Sequence, residues 1–385
     1  MSKLTVGRRN ILKAGAASLF LAGMPVTGFA KAKPPGSISV IILEGGMDGL
    51  AAMPPIGDPD LMRMRQSVTP DNYLALNDFF GLHPSLKFYA QLMASGHASA
   101  VHATAFPYTK RSHFEGQNLI EGGGLSPFSE KTGWLGRALD LSGVAGRSLS
   151  LDMPLILRGY HENDNFYPAS IRGSKKPNAN LLNMIAMGHH MDAAQLFTKV
   201  ARKSEDNVQV PRDPASLAKY AGRAMAQVDG PVASVIRVGE FDSHSSQTED
   251  GNTNEGRLAR QLSVVDDVIA GYRRGLGEAW DDAIILTLTE FGRTVAVNGT
   301  KGTDHGYASV GLLAGGSLSN SGVITDWPGL SKKDQFEKRD LMATIDYRSV
   351  CAACIEKSLG LDHDLIAQQV FQQPDLPRMF DHLFT

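Results

Sequence analysis

Two kinds of apolar pattern alternate along this chain. Residues 37–43, 98–103, 232–238, 283–289 and 309–314 are short, nearly continuous runs of apolar and β-branched side chains, the pattern of strands buried on both faces. Residues 86–95, 113–121, 217–227 and 257–276 instead repeat their apolar positions every three or four residues, as amphipathic helices do. Residues 346–360 add a further helix, with Asp346 as its cap and Gly360 at its end. Tyr347, Val350, Cys351, Cys354, Ile355 and Leu359 share one face of it. Strands alternating with helices predict an α/β fold, a mostly parallel central sheet covered by helices on both sides. From about 159 to 214 the chain is rich in Asn, Lys, Met and His and shows no strand pattern, which predicts a largely helical insertion.

The first residues follow a different logic. Arg8-Arg9 is followed by Asn10, the apolar Ile11 and Leu12, and Lys13, then by an apolar run over residues 14–24 that contains Gly15 and Gly23. Such a run is shorter than the roughly 20 apolar residues a membrane-spanning helix requires. Ala30-Lys31-Ala32 supplies small residues at alternate positions, as a signal peptidase accepts. The segment 1–32 therefore reads as a twin-arginine signal peptide cut after Ala32, and 33–385 as the mature domain. An amphipathic N-terminal helix of a cytosolic protein is the competing reading. Export places the protein in the periplasm or outside the cell, with no stable membrane anchor once the signal is removed. This route carries folded proteins, and a tightly held metal is compatible with it.

Charge and cysteine content narrow the chemistry. The 385 residues carry 38 Lys and Arg against 40 Asp and Glu, and no basic run follows the signal, so nucleic-acid binding is not expected. Two cysteines exclude both a disulfide framework and an all-cysteine zinc site. Their place in mid-helix on the apolar face predicts buried packing over redox chemistry.

In open α/β sheets ligands bind beyond the carboxyl ends of the strands. Here those ends run into Glu44-Gly45-Gly46-Met47-Asp48, Glu240-Phe241-Asp242-Ser243-His244 and Glu290-Phe291-Gly292-Arg293, with Thr303-Asp304-His305 just ahead of the last run. Taken singly, each acidic residue has a structural explanation as a turn, a surface pair or a cap. Four segments that gather carboxylates and imidazoles at one rim predict a divalent metal centre, its donors drawn from Asp48, Asp242, His244, Glu290 and His305 and its ion Zn, Mn, Mg or Ca. After the 98–103 run, Ser112 and Glu115 stand at capping-box spacing. A hydroxyl at a helix N-terminus also suits attack on an anionic phosphoryl or sulfuryl centre, which makes Ser112 the candidate nucleophile and Thr109 its substitute.

Several motifs together resemble domain-of-unknown-function family 1501, exported bacterial proteins of the alkaline-phosphatase-like superfamily. They are Glu44-Gly45-Gly46-Met47-Asp48-Gly49-Leu50, Leu82-His83-Pro84, Arg111-Ser112-His113-Phe114, Gly133-Trp134-Leu135-Gly136-Arg137, Phe241-Asp242-Ser243-His244 and Thr289-Glu290-Phe291-Gly292-Arg293-Thr294. Gly302-Thr303-Asp304-His305-Gly306, Arg339-Asp340 and Asp346-Tyr347-Arg348 complete the series. The resemblance implies an alkaline-phosphatase-like fold with a metal centre at the carboxyl edge of its sheet. It implies Asp48 as the ligand after the first strand and Ser112 at the nucleophile position. Asp242 and His244 would belong to one metal site, Glu290 would be the acidic ligand of another, and His305 the late histidine. One departure is Phe291, which stands where the superfamily has an imidazole; another is the absence of a cysteine followed by proline and arginine, the sulfatase signature. The expected function is hydrolysis of phosphate-type, less readily sulfate, esters, with Arg111 or Arg293 holding a small anionic substrate. The alternative is a non-catalytic exported protein that keeps the fold and binds another exported protein.

Overall fold

The computed structural model describes residues 34–144, 147–148, 154–159, 164–165, 213–228 and 230–384. The expected signal segment and nearly all of the expected insertion lie outside the described residues. From Pro34 onward the chain forms one unit.

Its strands are β1 (Ser37–Leu43), β2 (Leu74–Ala75), β3 (Gly81–Leu82), β4 (Ala98–Ala105), β5 (Arg147–Ser148), β6 (Asp164–Asn165), β7 (Ala233–Val238), β8 (Ala283–Thr289), β9 (Ser309–Ala314), β10 (Gly322–Ile324) and β11 (Ile345–Asp346). The main sheet has the order β10-β4-β9-β8-β1-β7-β5-β6, with β11 also on β4, while β2 and β3 form a separate small hairpin. β1 lies at its centre, parallel to β8 on one side and β7 on the other. The fold is the expected α/β arrangement with a mostly parallel sheet. The exception is β9, antiparallel to both β4 and β8. Its N-terminal end therefore meets the edge at which β1, β4, β7 and β8 end.

The larger helices are α1 (Lys87–Ala94), α2 (His113–Gly122), α3 (Trp134–Ser142), α4 (Pro214–Met225), α5 (Arg257–Leu276) and α6 (Tyr347–Leu359). Alternation along β1 sorts them into two layers. Ile38, Val40 and Ile42 face a core shared with Leu119 and Ile120 of α2, Trp134 and Leu135 of α3, and Val350 and Ile355 of α6. Ile41 and Leu43 face the opposite core, with Tyr89 of α1, Ala221 of α4 and Leu262 and Val265 of α5. A strand covered on both sides has no solvent face, which is why its sequence is a nearly continuous apolar run.

Local signals set the helix ends. Asp213 caps α4 by accepting from the Ser216 N–H at 2.8 Å, with Pro214 in the first turn. Asp346 caps α6 through the Arg348 N–H at 3.0 Å, and Gly360 ends it in the left-handed region. Cys351 and Cys354 are free thiols within the core, and burial raises the pKa of both. The expected capping box at α2 does not form. Ser112 stands at the cap position without a side-chain cap bond, and the Glu115 carboxylate accepts from the Tyr108 hydroxyl at 2.9 Å instead.

Candidate metal centre

Four loops meet at the carboxyl edge. The loop after β1 passes so close to its neighbours that side chains are excluded: a Cβ on Gly45 would lie 2.4 Å from the Asp242 nitrogen, and one on Gly46 would lie 2.6 Å from the Phe291 ring. Both glycines adopt positive φ. Non-glycine residues that also do so include Arg111 at 60° and Glu240 at 68°, each two positions ahead of a residue of the centre. Backbone held in that region costs energy and is kept where surrounding contacts fix it.

Asp242, at the end of β7, is the hub. Its Oδ1 lies 3.1 Å from His244 Nε2 and 3.3 Å from His305 Nε2, and those two nitrogens are 2.9 Å apart. The other ring nitrogen of each histidine is already engaged. His305 Nδ1 lies 2.9 Å from the Arg111 carbonyl, which can only accept, so Nδ1 carries the proton and Nε2 a lone pair. His244 Nδ1 lies 3.0 Å from Asp304 Oδ1 and is oriented in the same way. Three electron-rich atoms thus face one another at hydrogen-bond range with no proton among them in the neutral forms. A cation resolves that repulsion. Ligands at the roughly 2.0–2.1 Å bond lengths of zinc would stand about 3.3 Å apart in a tetrahedron, close to the separations found here. Protonation of His305 is the competing remedy, but burial, with smaller contributions from His113 and Arg293, lowers its pKa.

His113, the first residue of α2, approaches from the other side. Its Nδ1 is 2.8 Å from Glu290 Oε1, and its Nε2 is 3.5 Å from Asp242 Oδ2. That Nε2 is buried and has no hydrogen-bond partner. The hydrogen bond to Glu290 is the main reason its pKa is raised. Among the described residues, donor atoms of His113, Asp242 and His305 all lie within 4.8 Å of one another. The Phe291 ring packs against both His113 and His305, at centroid distances of 5.0 and 4.7 Å. Phe291 thus forms the apolar wall that orients these imidazoles.

Of the residues singled out in the sequence, Asp242, His244 and His305 come together. Glu290 stands behind them, its side chain fully buried, with Oε1 accepting from the Gly45 N–H at 2.8 Å and from His113. Asp48 lies deeper. It is 1 % exposed, forms an ion pair with the buried Arg65, and accepts from Gln247 Nε2 at 2.6 Å. Gln247 Oε1 in turn accepts from Thr303 Oγ1 at 2.7 Å, and Thr303 Oγ1 accepts from Arg293 Nε at 3.2 Å. Arg293, itself buried, reaches Asp242 Oδ1 with Nη1 at 2.9 Å. A buried polar chain therefore runs from Asp48 to the hub. Burial opposes ionisation of Asp242, but Arg293 outweighs it and holds the carboxyl below its usual range. Arg111 is held by Asp340 Oδ2, 2.8 Å from Nε, and by Glu337.

The sequence reading passed over His113, Arg65 and Gln247. His113 carried a usable signal, since it opens the helix that follows β4 at the same rim as the other donors. Arg65 and Gln247 lie in segments with no strand pattern to place them. Trp134 and Arg137, both in a motif, are structural: the indole donates to the Ile120 carbonyl at 2.9 Å, and the guanidinium to the Gly122 carbonyl at 2.6 Å.

The family model described as "Protein of unknown function (DUF1501)" matches residues 186–365. That stretch contains Asp242, His244, Glu290, Arg293 and His305, whereas Asp48 and His113 precede it. No curated protein matches the chain. Among solved structures, the C-terminal periplasmic domain of EcEptC from Escherichia coli is similar, with 10 % identity and a TM-score of 0.46 over 91 % of this chain and 89 % of that one. The lipoteichoic acid synthase LtaP from Listeria monocytogenes gives 12 % and 0.40, covering 77 % and 70 %. A protein in the alkaline phosphatase superfamily from Vibrio parahaemolyticus gives 13 % and 0.36, covering 74 % and 61 %.

Proposed function

We propose that this chain is a metal-dependent hydrolase of phosphate-type esters that acts after export from the cytoplasm. The observation that carries the reading is the triangle of Asp242 Oδ1, His244 Nε2 and His305 Nε2, with edges of 3.1, 3.3 and 2.9 Å and both imidazoles turned by hydrogen bonds at Nδ1. Two imidazoles and one carboxylate suit Zn or Mn better than Mg or Ca, and three protein ligands leave room for substrate. Bound there, the ion would supply Lewis acidity toward the ester oxygens.

The residues around it have separable tasks. Arg293 fixes Asp242 and keeps it ionised. The Arg111 carbonyl fixes the tautomer of His305, while its guanidinium, tied to Asp340 and Glu337, holds the loop in place. At the start of α2, Ser112 is the group that would attack a bound ester. Glu290, expected as a ligand, serves this reading better as the carboxylate that orients His113.

The test is metal analysis of protein purified without chelator, together with hydrolysis assays on aryl phosphate monoesters, diesters and sulfates in the presence of Zn, Mn, Mg or Ca. About one ion per chain and turnover of a phosphate ester are expected. A protein that binds no metal and turns over none of these esters is instead a non-catalytic exported binding or assembly protein. For export, replacing Arg8 and Arg9 with lysine should leave an uncleaved precursor in the cytoplasm, and normal appearance of the mature protein outside it would sink that part.

A further inference from the structure

We infer that Asp340 is a positioning residue of this centre, which acts through Arg111 and sets Ser112 and His305 in place together. The inference rests on the phosphoester reading above for the task of Ser112. Asp340 is neither a ligand nor an attacking group, yet its side chain is fully buried. A buried carboxylate is costly unless it is paired and hydrogen-bonded, and its partners here are specific. Oδ2 accepts from Arg111 Nε at 2.8 Å and from Arg111 Nη2 at 2.6 Å, while Oδ1 accepts from Arg339 Nη1 at 3.3 Å. Two N–H groups on one oxygen fix the direction of the guanidinium, and the Phe336 ring backs it with its centroid 5.9 Å from Cζ.

That grip holds a strained turn. Arg111 has a φ of 60°, a left-handed conformation that a residue with a Cβ keeps only where its surroundings fix it. The peptide unit between Arg111 and Ser112 is planar, so its two polar groups move as one. Its carbonyl accepts from His305 Nδ1 at 2.9 Å, and its N–H, that of Ser112, donates to the Tyr108 hydroxyl at 2.9 Å. Relaxation of Arg111 would turn this plane, and the tautomer lock on His305 and the place of Ser112 would be lost in one movement.

The main chain of Asp340 anchors the other side. It forms an antiparallel bridge with Thr294, and the Val295 N–H donates to the Arg339 carbonyl at 3.1 Å. Arg293, beside Thr294, bridges His305 in the same way and holds Asp242 Oδ1 through Nη1 at 2.9 Å. Asp340 therefore ties the segment that carries Ser112 to the segment that fixes Asp242 and His305, through its carboxylate on one side and its backbone on the other. Glu337, the second carboxylate on Arg111, has 55 % of its side chain exposed, and an exposed pair constrains geometry far less.

The test compares wild type with Asp340→Asn, Asp340→Ala, Arg111→Lys and the Asp340→Asn/Arg111→Lys pair, each loaded with zinc and assayed on an aryl phosphate monoester. Asp340→Ala should lose about a hundredfold in kcat, as reacting groups displaced by about an ångström do, with KM little changed. Asp340→Asn still accepts one bond and should lose less. Zinc affinity should fall by about 10–100-fold in Asp340→Ala, because His305 loses the support of its outer partner. The paired variant should lose no more kcat than the worse of its parents, since both changes remove the same contact. Asn and Lys nearly keep the volume of the side chains they replace, so the comparison stands even if Asp340→Ala does not fold. A merely structural aspartate would lower the melting temperature and leave kcat unchanged. That result, a loss confined to KM, or additive losses in the paired variant would overturn the assignment. One readout needs no turnover: in protein labelled with nitrogen-15 histidine, the His305 Nδ1 proton seen in wild type should be lost to solvent exchange in Asp340→Asn. Its persistence there would also overturn the assignment. A wild type inert toward every ester would bring down the hydrolase reading, while the histidine signal would still decide the role of Asp340.

Discussion

Two aspartates close two loops at the same rim, and the structure gives them opposite surroundings. Asp48 is 1 % exposed, neutralised by Arg65 and hydrogen-bonded by Gln247. Nearby, His83 and His102 are buried, and burial lowers the pKa of each to about 4 despite the pull of Asp48. Asp242 has 41 % of its side chain exposed, accepts from Arg293, and is flanked by three imidazoles, of which His244 and His305 turn lone pairs toward its Oδ1. One region has satisfied its charges internally, and the other pairs its carboxylate with Arg293 yet still gathers imidazole nitrogens around it. A carboxylate is marked as functional by what its neighbours leave unpaired, more than by its place after a strand.

The largest expected effect breaks the first region. Asp48→Ala leaves Arg65 buried without its partner and should cost about 3–5 kcal/mol of folding stability, read by urea unfolding. Asp242→Ala should cost less in the metal-free protein, because water reaches its side chain. Loss of bound metal from Asp48→Ala with stability unchanged would reverse the comparison.

Acid should act on the same region. His83 and His102 titrate near 4 when folded but near 6.5 when unfolded, so between those values the unfolded chain binds more protons and stability falls as pH drops. Each contributes on the order of 3 kcal/mol across that window, less if the site relaxes. Urea midpoints at pH 7 and pH 4.5 for wild type and His102→Gln should show a flatter pH dependence in the variant.

The second region should respond to metal. His244→Ala or His305→Ala removes a proposed ligand and should weaken affinity by more than the 10–100-fold seen when only an outer partner is lost. Chelator should lower the melting temperature of wild type and leave that of His305→Ala unmoved. Glu290→Gln sharpens the division of labour: it should reduce turnover while metal content persists, because Glu290 acts on His113.

The smallest effect concerns two caps. Asp213→Ala removes a formed cap and should cost about 1 kcal/mol. Ser112→Ala should cost clearly less, because no cap bond forms there. Equal losses in thermal unfolding would show that Ser112 caps α2 in solution after all.

Much of the scaffold was legible because burial on both faces writes nearly continuous runs of apolar and β-branched residues: β1, β8 and β9 lie where the pattern placed them. Strand direction was not legible, since an apolar run reads the same whether its strand is parallel or antiparallel, and β9 is the one that turns. The short β2–β3 hairpin and α3 carry too little periodic signal to stand out. At the centre, Asp242, His244 and His305 were recognisable as donors by residue type. What separates Asp48 from them is a partner 17 positions along the chain and another 199 away, which no local pattern encodes. Ser112 and Glu115 had capping-box spacing, but spacing could not reveal that the Tyr108 hydroxyl takes up the glutamate.

The central place of β1 also governs how the molecule comes into being. It is the first strand of the sheet to be synthesised, yet its two neighbours are β7 and β8, in the last half of the chain. Closing such distant pairings is slow, and the strand waits with both edges and both faces uncovered until residue 289 has emerged. No N-terminal fragment can form the candidate centre, because His113 has nothing to face before Asp242 and His305 exist. Assembly of the candidate centre is therefore a late event, and a chain stalled short of β8 is prone to aggregate rather than to persist as a half-built domain.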